Sequence, residues 1–255
     1  MLVFVGLGYS LRHLTTEAIE ALKTADIVYV DSYTSLYEDD FDKLREFNPN
    51  ASFHIARRND LEGKNVSRIL EEALQRKVVI AVPGDPFIAT THDAIRLEAI
   101  NKGIEVRVVN GLSIVGLAHS RLGLQSYKFG KTITLVYPDS FKPYSVVETI
   151  HDNLSRGLHT LILLDLRVEE GRAMTIPEAV NILLSLDEKG ELATKLAVGA
   201  ARLGWRTEKI VVARLAKLKE FSYPPPPHSI IVCGKLHPVE EEVLLKSNLQ
   251  YHHVR

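Results

Sequence analysis

Val78-Val79-Ile80-Ala81-Val82-Pro83-Gly84-Asp85-Pro86-Phe87-Ile88-Ala89-Thr90-Thr91-His92 is the stretch on which the fold turns. Five successive apolar residues suit a strand buried on both faces, as in a parallel sheet covered by helices. Pro83 stops the strand, because proline cannot donate to a ladder. Pro83 and Pro86 fix φ on either side of the permissive Gly84, so the backbone is held in one shape with Asp85 at its tip. Open α/β sheets bind ligands outside the carboxyl ends of their strands. Asp85 is therefore a candidate functional carboxylate, weighed against a turn aspartate that only caps local amides. Thr90 and Thr91 suit the cap of a helix over residues 90–102, with Gly103 as its C-cap. His92 reads more simply as a packed or capping residue than as a group that meets substrate.

The same rhythm continues on both sides of this stretch. Residues 2–5, 27–30 and 104–109 are further apolar runs of strand length, and residues 15–25 and 66–74 carry apolar side chains at helical spacing. Alternating strands and helices define an α/β domain with a parallel sheet. A boundary is expected within about residues 112–131, giving an N-terminal α/β domain over 1–112 and a C-terminal one over 113–255. In the second, Val146, Val147, Ile150 and Leu154 mark a helix, 161–166 a strand, and 176–186 a helix with Pro177 in its first turn. Further strands are read at 196–201, 209–213 and 229–232. Pro224-Pro225-Pro226-Pro227 forms a stiff extended arm before the last of them.

A chain of 255 residues suits two small domains or one large one. Its formal net charge of -1 lacks the basic excess of a general nucleic-acid binder. No apolar run approaches the roughly 18 residues of a membrane span, and the opening Met-Leu-Val-Phe-Val reads as a first strand, not a signal peptide. Cys233 is the one cysteine, so neither an intramolecular disulfide nor a thiolate zinc site can form, and a reducing, cytoplasmic setting fits. No His-Glu-x-x-His helix, phosphate loop or Gly-x-Ser-x-Gly elbow occurs, which leaves metal and covalent catalysis without support.

Four other segments carry candidate chemistry. Gly6-Leu7-Gly8 follows a strand, but a dinucleotide turn would want glycine where Leu11 stands. Asp31 lies where a ribose-binding acid would, so a nicotinamide-dependent oxidoreductase stays open as an alternative. Asp31-Ser32-Tyr33-Thr34-Ser35 could line a polar cleft or be a loop in water. Tyr127-Lys128-Phe129-Gly130-Lys131 interleaves aromatic and basic residues, as a site for an acidic partner or a connector with solvated lysines. His228 could offer a ring nitrogen to a ligand, although a lone histidine is more often structural.

Taken together, Gly6-Leu7-Gly8, Tyr33-Thr34-Ser35, the run from Gly84 to His92, Ser113-Ile114, Gly123-Leu124-Gln125, Tyr127 to Lys131, Gly157-Leu158-His159-Thr160 and Pro226-Pro227-His228 through His237 resemble the diphthine synthase family, in order and over essentially the whole chain. The Gly-Asp-Pro core alone marks a wider group, the tetrapyrrole methylases. The resemblance implies two α/β domains of the tetrapyrrole methylase type, with S-adenosylmethionine in the cleft between them. It implies cofactor contacts at Tyr9, Asp85, Ile88, Ser113, Ile114, Leu164, Leu203 and His228, with S-adenosylhomocysteine as product and no metal. Tyr9 stands where many relatives carry leucine. The resemblance further implies a cytoplasmic homodimer whose partner is translation elongation factor 2. The amine of a 3-amino-3-carboxypropyl group on one of that factor's histidines would be methylated. A small-molecule methylase of the tetrapyrrole kind and a non-catalytic nucleotide-sensing module are the alternatives, and the resemblance names no catalytic base.

Overall fold

A computed structural model describes residues 1–139, 141–246 and 250–251. The chain divides into two compact units, Met1–Ser113 and Ile114–Arg255.

The first unit runs β1 (Leu2–Gly6), α1 (Thr16–Lys23), β2 (Ile27–Asp31), β3 (Ser52–Ala56), α2 (Arg58–Leu61), α3 (Val66–Gln75), β4 (Val78–Val82), α4 (Asp93–Asn101) and β5 (Val106–Val109). Its five strands are all parallel, in the order β3-β2-β4-β1-β5. Side chains alternate along each strand, and on the three central strands β1, β2 and β4 both sets are buried. Leu2 and Phe4 of β1 and Ile80 of β4 pack with Ile69, Leu70 and Ala73 of α3 and with Ile95 of α4. Val3, Val5, Val79 and Ala81 pack with Ala18, Ala21 and Leu22 of α1. Helices on both faces explain why these strands are apolar without a break. Thr15 caps α1, its hydroxyl accepting from the Ala18 N–H at 3.0 Å.

Two features of this unit depart from the sequence pattern. The helix expected from residue 90 begins at Asp93, because Pro86 to His92 closes into a loop of its own. β3 was not expected at all. It is an edge strand of which only Ala56 is fully buried, so it lacks the unbroken apolar run of the central strands, and the His54 ring stacks on Tyr29 at 4.9 Å.

The second unit runs α5 (Ile114–Leu122), β6 (Ile133–Leu135), α6 (Tyr144–Ser155), β7 (Thr160–Leu164), β8 (Leu166–Arg167), β9 (Arg172–Ala173), α7 (Ile176–Leu186), β10 (Leu196–Ala201), β11 (Lys209–Arg214), β12 (His228–Val232), α8 (Pro238–Lys246) and β13 (Gln250–Tyr251). Its main sheet has the order β13-β11-β10-β12-β7-β6. It is mixed: the β11-β10-β12-β7 block is antiparallel, whereas β6 pairs with β7 in parallel. Ile162, Ala197, Val211 and Ile230 of this sheet form a core with Ile176, Ala179, Val180 and Leu183 of α7. Thr175 and Glu178 make a reciprocal capping box at the start of α7, with Pro177 in its first turn. No described helix is long and apolar enough to cross a membrane.

Candidate active site

In the first sheet, β1 lies between β4 and β5, so the chain leaves β1 toward one side of the sheet and later crosses it to the other. The carboxyl ends of β1, β4 and β5 therefore meet at a topological switch point, where α/β sheets take their ligands. Three loops pack there backbone to backbone. Gly8 and Gly84 exchange N–H···O bonds of 3.1 and 2.6 Å, and the Leu7 N–H donates to the Val82 carbonyl at 2.8 Å. A Cβ built on Gly111 would sit 2.1 Å from the Gly84 oxygen and 2.7 Å from the Gly6 carbonyl carbon. Gly6 and Gly111 are thus set by close approach of main chains, a Cβ on Gly6 lying 2.4 Å from the Gly111 nitrogen.

Asp85 fastens this junction. Its Oδ1 accepts from the Phe87 N–H at 3.0 Å, and its Oδ2 accepts from Asn110 Nδ2 at 3.0 Å and from the Gly111 N–H at 3.2 Å. Only 8% of the residue is exposed. The carboxylate is turned into its own loops, and it joins the β4 loop to the β5 loop. Beyond it, Ile88 stands 41% exposed at the loop's crest. Ala89 follows with φ +58, in the left-handed region that a side chain disfavours. The Tyr9 hydroxyl lies over Gly84, where an added Cβ would meet it at 2.9 Å. Ser113, the last residue of this unit, follows β5 by four positions.

Asp31 is fully buried. It accepts from the Tyr33 and Thr34 N–H groups at 2.9 and 3.0 Å and from the Thr34 hydroxyl at 2.6 Å, and His92 Nε2 lies 3.3 Å from it. A ribose therefore finds no acceptor there. The Leu7 and Gly8 N–H groups are likewise bonded within the protein, which leaves no cradle for a pyrophosphate. The oxidoreductase alternative is overturned on both counts. Glu62 Oε1 accepts from the Tyr33 hydroxyl at 3.0 Å and the Thr91 hydroxyl at 2.8 Å. The two polar segments read separately from the sequence thus form one network.

In the second unit, Ala201 of β10 pairs with His228 of β12, and Leu163 of β7 pairs with Ser229. The strand ends consequently bring Leu164, Leu203 and His228 to one edge of that sheet. Arg202, beside Leu203, has φ +53. Its backbone N–H donates to the Pro227 carbonyl at 2.7 Å and its Nε to the Pro225 carbonyl at 2.6 Å, so it clamps the proline arm to the end of β10. Left-handed non-glycine residues thus adjoin two expected contacts, Ile88 and Leu203. Ile114 opens α5. His228 does not offer a ring nitrogen to a ligand. Its Nε2 donates to the Pro224 carbonyl at 2.7 Å and its Nδ1 accepts from the Ile176 N–H at 3.1 Å.

The Tyr127–Lys131 segment is only partly solvated. Tyr127 is 76% exposed, but Lys128 is largely buried and donates to Glu240 Oε2 at 2.6 Å. Glu240 also accepts from the Gln125 N–H at 2.8 Å, the His237 N–H at 2.7 Å and His159 Nε2 at 3.2 Å. A Cβ on Gly130 would lie 2.1 Å from Asn153 Oδ1, which explains the glycine. Asn153 itself bonds both backbone groups of Lys131.

Burial holds the His159 and His228 rings below the usual imidazole range, with the Glu240 carboxylate pulling His159 the other way. Burial alone would raise Glu240, but the His237 N–H, Lys128, the Gln125 N–H and His159 together bring it down to about 2. Both rings are useful when neutral, so their contribution is complete above pH ~6.5, the unfolded-state value, and fades as pH falls below it. Glu240 contributes above its unfolded value of 4.5 and fades from there toward 2. We expect the urea midpoint to be flat above about pH 7 and to drop in two stages on acidification. A midpoint that rises between pH 7 and 5 would contradict this assignment.

Asn110, Gly111, Glu62, Arg202 and Glu240 were not singled out by the sequence reading. Asn110, a polar residue directly after an apolar strand, carried a usable signal; the others take their roles from partners far along the chain. Among the described residues, no group of three His, Cys, Asp or Glu side chains is placed to hold a metal ion.

A parallel sheet with a Gly-Asp-Pro loop at its switch point, followed by a second, mixed α/β unit, is the arrangement of the tetrapyrrole (corrin/porphyrin) methylases, whose family model matches residues 1–219. Within that class the chain belongs to the diphthine synthase family. It is 60% identical to a diphthine synthase of Staphylothermus marinus over 94% of this chain and 91% of the relative. It is 39% identical to one of Archaeoglobus fulgidus over 96% and 94%. A crystal structure of diphthine synthase superposes with TM-score 0.88 at 37% identity, covering 96% of this chain and 94% of the other. The chain is a methyltransferase enzyme, and the expected α/β architecture of the tetrapyrrole methylase type holds. The broader alternatives, a macrocycle methylase and a non-catalytic sensor, give way to this closer likeness.

Proposed function

We propose that the chain transfers a methyl group from S-adenosylmethionine to the amine of a 3-amino-3-carboxypropyl-modified histidine of translation elongation factor 2, forming diphthine. The observation that carries the cofactor part is the loop from Asp85 to His92, folded back on itself at the switch point with Ile88 exposed and Ala89 left-handed. Its fit to the cofactor is chemical. S-adenosylmethionine carries a sulfonium cation and no phosphate, so a site without a phosphate cradle, carrying a carboxylate and apolar residues, suits it. Tyr9, Asp85, Ile88 and Ser113 from the first unit and Ile114, Leu164, Leu203 and His228 from the second are the proposed contacts.

When bound, S-adenosylmethionine would supply an already activated methyl electrophile for the amine. The protein's task is alignment and exclusion of water. Asp85 acts through the loops it ties together and through its negative charge. His228 and Arg202 hold the proline arm and the ends of β10 and β12. Action as a cytoplasmic homodimer belongs to the same proposal.

Calorimetric titration with S-adenosylmethionine and, separately, NAD tests the cofactor. Binding of the first alone is expected, and binding of NAD alone would sink the reading. Asp85→Ala is expected to weaken S-adenosylmethionine binding by about tenfold or more, since three donors lose their acceptor. Parental affinity in that variant would remove Asp85 from the site. Methylation of the modified factor, followed by mass, then tests the acceptor.

A further inference from the structure

His92 plays no part in the chemistry above, yet it is wholly buried with each ring nitrogen facing an oxygen from a different segment. Nδ1 lies 2.9 Å from the Pro86 carbonyl oxygen, so it carries a proton and donates. The same carbonyl accepts the Thr90 hydroxyl at 2.5 Å. Nε2 stands 3.3 Å from the buried Asp31 carboxylate, at ion-pair distance but off the line of a hydrogen bond. Asp31 in turn is gripped by Tyr33 and Thr34, and the ring packs 6.3 Å from Phe4 of β1.

Between Pro86 and His92 lie Ile88 and the left-handed Ala89. A single peptide oxygen therefore gathers the far end of the loop, and His92 is the donor that anchors that oxygen to the sheet. We infer that His92 is a positioning residue. It holds residues 85–92 in the shape that presents Ile88 and the adjoining peptide groups to the cofactor. Its burial removes it from contact with the amine, so it is not the base. The inference rests on the cofactor reading of this loop.

A histidine that only filled space would be replaced without loss by an apolar side chain of similar size. A histidine that positions the loop needs its donor. Asparagine places an N–H close to the former Nδ1, whereas leucine has none. Titration with S-adenosylhomocysteine compares the parent, His92→Asn and His92→Leu, alongside their thermal unfolding. We expect affinity to fall by about tenfold or more in His92→Leu and to stay within roughly threefold of the parent in His92→Asn. Both variants are expected to unfold within a few degrees of each other. Equal affinity in the two variants, whether weak or strong, would overturn the inference. If His92→Leu does not fold, Thr90→Val removes the second donor to the same carbonyl from a less buried position. It is expected to weaken binding a few-fold with little change in unfolding, and parental affinity there would overturn the inference. Failure of the parent itself to bind would refute the cofactor reading and the inference with it, and is told apart from the other outcomes by needing no variant.

Discussion

Glu240→Ala lowers stability by about 3–5 kcal/mol and the thermal midpoint by roughly 10 °C. Glu240 has no exposed surface and receives four donors: the Gln125 and His237 N–H groups, the Lys128 ammonium and His159 Nε2. It sits in the first turn of α8, where a carboxylate also complements the helix N-terminus. Alanine takes this acceptor from all four donors and leaves the mostly buried Lys128 cation without its counter-charge, with only the Lys235 carbonyl still accepting from it. Removing one partner of a buried pair costs far more than the pair contributes net, because the other charge remains desolvated. Glu240→Gln keeps an acceptor and gives up the charge, so an intermediate loss is expected. Differential scanning calorimetry at neutral pH checks both variants. A loss below about 1 kcal/mol in Glu240→Ala would mean that α8 is not tethered through this carboxylate.

Gly111→Ala damages the active site and the fold together. The new Cβ would lie 2.1 Å from the Gly84 oxygen and 2.7 Å from Gly6 backbone atoms. None of these belongs to a flexible side chain, so relief requires the three loops to part. Overpacking of this kind costs about 1–3 kcal/mol, and more when only backbone can yield. The parting also strains the Asp85 bonds to Asn110 and the Gly111 N–H, and displaces the loop that carries Ile88. A shift of about 1 Å near a reacting centre is enough for roughly a hundredfold loss of rate. Expected results are a fall in cofactor affinity and in methyl transfer, each measured on protein that remains folded by circular dichroism. Parental kinetics in Gly111→Ala would show that the junction spreads without consequence.

The legible and hidden parts of this protein separate by distance along the chain. Val78–Val82 announced a doubly covered parallel strand because five apolar residues in succession have few other uses. Caps such as Thr15 and Thr175 are local signals, because each lies three residues from the amide that it serves. Asp85 was marked by the two prolines and the glycine around it. Its partners were not, since Asn110 and Gly111 lie 25 and 26 positions away. Edge strand β3 escaped notice because only Ala56 of its five residues is fully buried, so it shows no apolar run, and β6 because three residues carry no period. The antiparallel pairing of the second sheet was likewise hidden, since its strands are buried as thoroughly as those of the first.

Local chemistry by itself determined the central strands and main helices of this chain, the boundaries that proline and glycine impose, the candidate loop at Asp85, and through shared motifs the family. Tertiary structure alone decided what each polar residue faces. It turned Asp85 inward as a fastener, consumed both nitrogens of His228, and buried Lys128 against a glutamate 112 positions later. It also set His92 between Pro86 and Asp31. The reason is physical: a strand or cap is settled by neighbours a few residues away, whereas a buried donor is settled by whichever acceptor the packed fold brings to it.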